Sequence, residues 1–360
     1  MSETNLLVVG GCGFVGFHVV KALVEHHIWS VHVISRNPSH NRVEGAHYHI
    51  GSVLSPEQLQ CALDKIRPIA IIHAASPPTA GNTGGERQYR ETNVQGTRNL
   101  LKIAISSGHV RAFIYTSSAD VLDASSHELA TEDAPMYTIA SRADYYSKSK
   151  AIADQLVLDT NGCGDMRTIC LRPAAVYGER DSQLIPGTLQ ALREGRHRYQ
   201  IGDNTNLFDF VSAANVALSH VLAVRALLSG PGEASSKVDG EAFFITDGSP
   251  VPFWSFARKI WAAAGVELDS SEVTVVPAWF VLSLASLIEW IYWAFTLGLK
   301  RPKVLRRQAI SYTCLPRTYS IAKARKGLGY TPLENRDEHI HKGVEWELRA
   351  QAEAARKSSP

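Results

Sequence analysis

Leu6-Leu7-Val8-Val9-Gly10-Gly11-Cys12-Gly13-Phe14-Val15-Gly16 runs from a short apolar stretch through spaced glycines into a helical pattern. Gly10 permits a tight turn, Gly13 lets backbone approach a pyrophosphate, and Gly16 lets the helix pack closely on the strand. The free N–H groups and positive dipole end of the helix then favour a phosphate. A bare glycine turn can be no more than a turn. Placed after a strand and opening a βαβ unit, Gly10, Gly13, Phe14, Val15 and Gly16 read as the pyrophosphate turn of a dinucleotide site.

The pattern beyond that turn keeps alternating. Strands are expected at Leu6–Val9, Ser30–Ile34, Ala46–Ile50, Ala70–His73, Ala112–Thr116, Thr168–Arg172 and Ala242–Thr246. Helices are expected at Gly16–His26, Ser55–Lys65, Asn93–Ser106, Tyr145–Asp159, Ile185–Glu194 and Ala214–Leu228. Such alternation predicts an α/β fold, a Rossmann-type doubly wound parallel sheet covered on both faces. After Pro250 and Pro252 strands become fewer and helices longer, which predicts a smaller, mainly helical C-terminal substrate part. The expected division is a nucleotide-binding part at 1–180, to which 205–248 returns, and a substrate part at 181–204 and 249–350.

At 360 residues the chain can bury a large core, as one big or two ordinary domains. Its 45% apolar and 20% charged residues are those of a globular protein, and a net charge of +2 gives no reason to expect nucleic acid. The basic residues do cluster late, at Lys300, Arg301, Lys303, Arg306 and Arg307. Five cysteines without a CxxC pair argue against a disulfide framework or zinc site and suit a reducing compartment. Leu6–Val9 is too short for a signal peptide, so activity is expected on the cytosolic side. The tail after about Ala350 reads as loose surface chain.

Far downstream stands Tyr146-Ser147-Lys148-Ser149-Lys150. On a helix Tyr146 and Lys150 share one face. A phenol of unperturbed pKa ~10 is a poor base at neutral pH, and an adjacent ammonium favours phenolate. Lys150 is therefore expected to lower the pKa of Tyr146 and to hold nicotinamide ribose hydroxyls. Tyr145 is a distractor, since Ser149 stands four residues on. The strand Ile114-Tyr115-Thr116 ends in Ser117-Ser118, and carboxyl ends of strands face the ligand crevice. Ser118 is the expected orienter of a substrate oxygen; its neighbour Ser117, also expected at the cofactor, is the alternative for that role. Together these motifs describe an enzyme moving a hydride between a nicotinamide and an alcohol or ketone. Where NAD-binding proteins place an acid for the ribose 2′-hydroxyl, this chain has Ser35-Arg36; a guanidinium suits a 2′-phosphate. NADP(H) is the favoured cofactor, NAD the other.

The residues resemble an extended short-chain dehydrogenase/reductase over nearly the whole chain. The likeness rests on the glycine turn, Ile72-His73-Ala74-Ala75, Thr92-Asn93-Val94-Gln95-Gly96-Thr97, the Ser-Ser strand end, YxxxK, and Leu171-Arg172-Pro173-Ala174-Ala175-Val176-Tyr177-Gly178. The run Phe243–Trp254, and Tyr312-Thr313-Cys314 through Tyr319-Ser320 to Leu328-Gly329-Tyr330, is similar to the 3β-hydroxysteroid dehydrogenase branch. Within it the chain most resembles decarboxylating sterol-4α-carboxylate 3-dehydrogenases. That implies NAD(P)-dependent oxidation of a 3β-hydroxyl on a sterol, steroid or triterpenoid, with loss of a C4 carboxylate as CO2 from the β-keto acid. It further implies Ala74, Ala75 and Asn93 near the cofactor, Pro173 and Val176 near the nicotinamide, and a homodimer. Ser35 in place of an acid, and Ser52 in place of a common Asp, depart from the pattern and point toward a paralogue of secondary terpenoid metabolism.

Val276 to Leu299 holds one charged residue, Glu289, and could span a bilayer by length. Ser283, Ser286 and Glu289 recur every third residue as a narrow polar stripe. Trp279, Trp290 and Trp293 suit an interface, and the basic cluster beyond suits anionic head groups. The expectation is a monotopic helix, segment 276–299, in the cytosolic face of the endoplasmic reticulum membrane; the other reading is a buried helix or dimer seam of a cytoplasmic protein. Competing functions are a sugar-nucleotide epimerase, a reductase of flavonoid-like ketones, and a non-catalytic nucleotide sensor. The apolar segment disfavours a diphosphate sugar, and the intact Ser118, Tyr146 and Lys150 disfavour a sensor.

Overall fold

The computed structural model describes residues 4–78, 85–124, 126–141, 143–229, 237–296 and 307–358. The chain runs β1 (Thr4–Val9), α1 (Phe14–Glu25), β2 (Trp29–Ser35), β3 (His47–Ile50), α2 (Pro56–Ile66), β4 (Ala70–His73) and α3 (Gly85–Tyr89). A π-helical turn at Arg90–Gln95 leads into α4 (Gly96–Ser107), then β5 (Ala112–Thr116), β6 (His127–Ala130), α5 (Tyr145–Asp159), β7 (Arg167–Pro173), β8 (Ala175–Tyr177) and α6 (Leu184–Arg193). Next come β9 (Tyr199–Ile201), β10 (Leu207–Phe208), β11 (Phe210–Ser212), α7 (Ala213–Leu228), β12 (Glu241–Ile245), β13 (Val251–Pro252) and α8 (Phe253–Ala263). The last stretch holds β14 (Thr274–Val276), α9 (Ala278–Thr296), α10 (Arg307–Cys314), β15 (Arg317–Tyr319), α11 (Ala322–Leu328) and α12 (Arg336–Ser358).

Seven strands form a parallel sheet in the order β12-β7-β5-β4-β1-β2-β3. The order reverses at β1, between β2 and β4, and such a switch point opens a crevice at the carboxyl ends of the strands. Side chains of β1 alternate between two cores, as the pleat demands. Leu6 and Val8 pack with Val19, Val20 and Leu23 of α1 and Val221 and Val224 of α7. Leu7 and Val9 pack with Leu59 and Leu63 of α2, Leu100 and Leu101 of α4, and Ala153 of α5. A third core, Tyr177, Ile185, Phe208, Phe210, Phe256, Ile260 and Ile340, gathers the C-terminal helices, with Phe210 and Phe256 stacked at 3.7 Å.

Three expected elements, Ala70–His73, Ala112–Thr116 and Tyr145–Asp159, have the expected bounds, and most others differ only at their ends. The helix expected at Asn93–Ser106 instead begins at Gly85 and is interrupted by the π-turn. The tail is not loose: α12 runs to Ser358, an exposed but regular helix. The four-stranded sheet β13-β10-β15-β6 and the pairs β11-β8 and β14-β9 have strands of two to four residues, too short to show a period of two.

Among the described residues one helix, α9, is long and apolar enough to cross a membrane. Only Val281 and Ala285 on it are buried, against Ile310 of α10. Trp279, Trp290, Trp293 and Phe295 are 61% to 86% exposed, which removes the buried-helix reading. Two of the three residues of the expected polar stripe turn toward α10, while Ser283 is exposed: Glu289 Oε1 accepts the Arg307 backbone N–H at 2.9 Å, and Arg307 Nη1 donates to Ser286 Oγ at 3.3 Å. Arg307 is thus turned onto α9. Lys300, Arg301, Lys303 and Arg306 lie outside the described residues.

Arg172 of β7 and Asp154 of α5 form a buried bidentate pair, Nη2–Oδ1 at 2.8 Å and Nε–Oδ2 at 3.0 Å, with side chains 3% and 0% exposed. Removing one partner strands a buried charge. Asp154→Asn and Arg172→Met should each cost ~3–5 kcal/mol in urea unfolding. The double variant Asp154→Leu/Arg172→Met should lose far less than the sum; additive losses would show that the pair is not coupled.

Candidate active site

The site grows from the switch point. Gly10 has φ +87°, a conformation costly for any residue with a Cβ, and the Gly13 N–H donates to its carbonyl at 3.0 Å. A Cβ on Gly16 would stand 2.2 Å from the Gly10 carbonyl oxygen, and one on Gly10 would stand 2.7 Å from the Ala75 backbone. The turn is therefore clamped between α1 and the end of β4. Gly13, by contrast, is exposed, and a Cβ there would meet only the Gly10 carbonyl, at 3.3 Å. It is the N-cap of α1 with no side-chain cap, which leaves the first-turn N–H groups beside Phe14 and Val15 free to bind an anion. This cradle fits a dinucleotide pyrophosphate.

Ser35 ends β2 on the far side of β1 from β4, with its hydroxyl on the Cys12 thiol. Arg36 follows, exposed. Asn41 Nδ2 donates to the Cys12 carbonyl at 3.0 Å, tying the following loop to the turn, and Arg42 sits over the Tyr48 ring at 4.6 Å. Burial raises the Cys12 thiol, and Ser35 and the Arg42 charge oppose the rise, which puts a second cation near the turn. Nothing in the sequence marked it, because the loop carries no period and only folding returns it to Cys12.

On the other side, β4 ends at His73-Ala74-Ala75. His73 Nε2 and Thr97 Oγ1 are 3.0 Å apart, and Thr97 donates to the Asn93 carbonyl at 2.5 Å, which assigns the ring proton to Nε2. Burial, with the Lys150 charge behind it, pushes His73 down to about 3, so it is neutral. Asn93 lies in the π-turn, a deformation frequent at functional sites. Its Nδ2 donates to Ser149 Oγ at 2.9 Å, and its Oδ1 is buried without a hydrogen-bond partner. The Ser117 N–H donates to the Leu171 carbonyl at 2.7 Å, and its hydroxyl is likewise buried and unpartnered. Pro173 ends β7, and Val176 lies in β8, half-buried.

Asp144 caps α5 by accepting the Ser147 N–H at 2.9 Å, which presents Tyr146 and Lys150 toward the strand ends. Lys150 Nζ donates to the Thr116 carbonyl at 2.6 Å and lies over the Tyr115 ring at 4.7 Å. Burial pulls its pKa down to about 8, against the opposing charge of Asp154. Ser118 caps a short 3-10 turn, accepting the Asp120 N–H at 3.2 Å. Tyr146 meets Tyr89 edge-on at 5.9 Å. Its phenol is raised by burial and then by the Asp120 carboxylate, while a hydrogen bond with Ser118 draws it down. The expected depression by Lys150 is not among these leading influences. Asp120 bonds Arg317 at 3.1 Å, and that guanidinium lies over Tyr312 at 4.3 Å. Sequence reading missed Tyr89, Asp120, Tyr312 and Arg317. Asp120, two residues after Ser118, was the one within reach of the motif.

The model of the 3-beta hydroxysteroid dehydrogenase/isomerase family matches residues 7–276. The chain is 35% identical over 353 residues to the decarboxylating sterol-4-alpha-carboxylate 3-dehydrogenase ERG26 of Saccharomyces cerevisiae, covering 95% of this chain and 97% of the relative. The decarboxylating sterol-4-alpha-carboxylate 3-dehydrogenase of Mus musculus is 30% identical, covering 94% and 89%. In fold the chain is similar to the Bordetella bronchiseptica enzyme WbmH in complex with NAD+, with a TM-score of 0.70 at 16% identity, covering 96% and 99%.

Lys150 supplies a pH test. Its pKa near 8 lies below the ordinary lysine value of 10.5, so the unfolded chain binds the extra proton between those values. There the stability of the protein should rise with pH. Lys150→Met lacks that titration. Urea midpoints at pH 7.5, 9 and 10 should show the parent gaining on the variant; parallel curves would show that burial does not strain the ammonium.

Proposed function

The chain belongs to the 3-beta hydroxysteroid dehydrogenase/isomerase family, and we propose that it oxidises the 3β-hydroxyl of a sterol or triterpenoid carrying a C4 carboxylate. The observation that carries this reading is the convergence of Ser118, Tyr146 and Lys150 beside the glycine turn at the sheet's carboxyl edge. The activity named for the relatives from Saccharomyces cerevisiae and Mus musculus supports it.

A nicotinamide dinucleotide supplies the hydride acceptor. Tyr146 takes the proton from the 3-hydroxyl, and Ser118 orients that oxygen. Lys150 moves from the Thr116 carbonyl to the ribose hydroxyls and sustains phenolate. Gly10, Gly13, Phe14, Val15 and Gly16 hold the pyrophosphate, Ala74, Ala75, Asn93 and Ser117 line the crevice, and Pro173 and Val176 flank the nicotinamide. The product is a β-keto acid, which loses CO2 through an enolate; Ser118 and Tyr146 still adjoin the oxygen on which that charge gathers.

Arg36, with Arg42 beside the turn and Ser35 where an acid would stand, favours a 2′-phosphate and hence NADP(H). Residues 1–180 with 205–248 form the nucleotide part, and 181–204 with 249–350 the substrate part. The exposed tryptophans and Phe295 of α9 support a helix lying in the cytosolic surface of the endoplasmic reticulum membrane, from which an apolar substrate reaches the site.

A 4α-carboxy-3β-hydroxysterol incubated with NADP+ or NAD+ should give reduced nicotinamide and CO2, with Tyr146→Phe slower by ~10²–10⁴-fold. Arg36→Ala should raise the KM for NADP+ and leave that for NAD+ in place. Turnover of UDP-glucose instead would displace the sterol reading. In flotation with vesicles of neutral and anionic phospholipid the protein should rise with the lipid, and Trp290→Glu/Trp293→Glu should stay behind. Equal flotation of both would remove α9 as the contact.

A further inference from the structure

A carboxylate at C4 is one carbon from the reacting C3, so its oxygens stand a few ångströms from the oxygen held by Ser118 and Tyr146. The groups around that oxygen are acidic. Asp120 donates its backbone N–H to Ser118 Oγ at 3.2 Å. Asp120 and Asp144 both raise the Tyr146 phenol, and Asp123 with Asp144 raises the nearby Tyr137. An anionic substrate would be repelled there without a matching cation. Lys150 is buried and faces the Thr116 carbonyl. Among the described residues, the other cation acting on Asp120 and Tyr137 is Arg317.

Arg317 is the first residue of β15, and its backbone carbonyl accepts the Asp209 N–H at 2.8 Å. Its Nη1 donates to Asp120 Oδ1 at 3.1 Å, across 197 residues of sequence. Tyr312 lies against one face of the guanidinium at 4.3 Å and fixes its plane. Nε is buried without a hydrogen-bond partner, and the side chains of Arg317 and Asp120 are 14% and 30% exposed, so the pair is partly accessible. A guanidinium has five N–H donors in a planar fork suited to carboxylates. The bonds to Asp120 and to Tyr319 leave donors of the five for a second carboxylate.

Resting on the sterol-carboxylate reading above, we propose that Arg317 binds the C4 carboxylate of the substrate, with Asp120 holding the guanidinium in place. Asp120 is itself raised by burial, with Arg317 and the Ser118 hydrogen bond opposing and Asp144 adding to the rise. It can therefore take up a proton when a second carboxylate arrives, which removes the repulsion. The arrangement makes the acid, rather than the neutral sterol, the preferred ligand.

The test compares the 4α-carboxy-3β-hydroxysterol with its neutral 4-methyl ester, the ester being read as substrate or as competing inhibitor. Arg317→Gln should lower kcat/KM for the acid by ~10²-fold or more, as loss of a buried charge-assisted bond does, and move the ester constant less than threefold. Arg317→Lys should recover part of the acid's advantage. Asp120→Asn, which keeps the side-chain shape, should lower the KM for the acid. Acid and ester weakened alike by Arg317→Gln, or Asp120→Asn matching Arg317→Gln, would make the pair a structural tie and overturn the assignment alone. A parent enzyme that binds neither compound would overturn the functional reading and this assignment with it.

Discussion

The Arg172–Asp154 pair sets the geometry on which the site depends. Asp154 lies one turn beyond Lys150 on α5, so anchoring it to β7 fixes the rotation of the helix that bears Tyr146 and Lys150. A buried ion pair stabilises little by itself, because desolvation offsets most of its Coulomb energy. Its value here is directional: two parallel N–H···O bonds admit one orientation of helix against strand. The same carboxylate is the main opponent of the desolvation that pulls Lys150 down. One side chain thus positions the helix that bears Tyr146 and opposes the loss of its lysine's charge.

The two halves of the crevice obey different constraints. At the pyrophosphate end the limit is steric: Gly10 and Gly16 let α1, the turn and β4 meet at distances that no Cβ allows. At the phenol end it is electrostatic. Tyr146 is raised by burial and Asp120, lowered by Ser118, and has its nearest ammonium on a backbone carbonyl. The phenol is held above its ordinary value, so it is protonated at neutral pH.

The C-terminal segment joins the exposed apolar face to this chemistry. Val281 and Ala285 of α9 pack on Ile310 of α10, two residues before Tyr312, and β15 with Arg317 follows directly. Glu289 and Ser286 secure the start of α10 through Arg307.

Much of this was legible in the residues alone, and the reason is local. The glycine spacing, Tyr146 to Lys150 and the apolar runs of β1, β4 and β5 are short-range patterns whose meaning follows from helix and strand periods. They suffice for the doubly wound sheet and for the groups at its carboxyl edge. The π-turn at Asn93 was invisible because it answers to two distant parts of the chain, to Ser149 directly and to His73 through Thr97. The polar stripe of α9 was legible, but its direction was not, since only the position of α10 turns Ser286 and Glu289 inward and the tryptophans outward. Likewise Arg317 and Asp120 are unremarkable 197 residues apart. They become a pair at the phenol only when β15 joins the small sheet beside β6, because sequence patterns record the period of each element, and long-range packing decides which elements face one another.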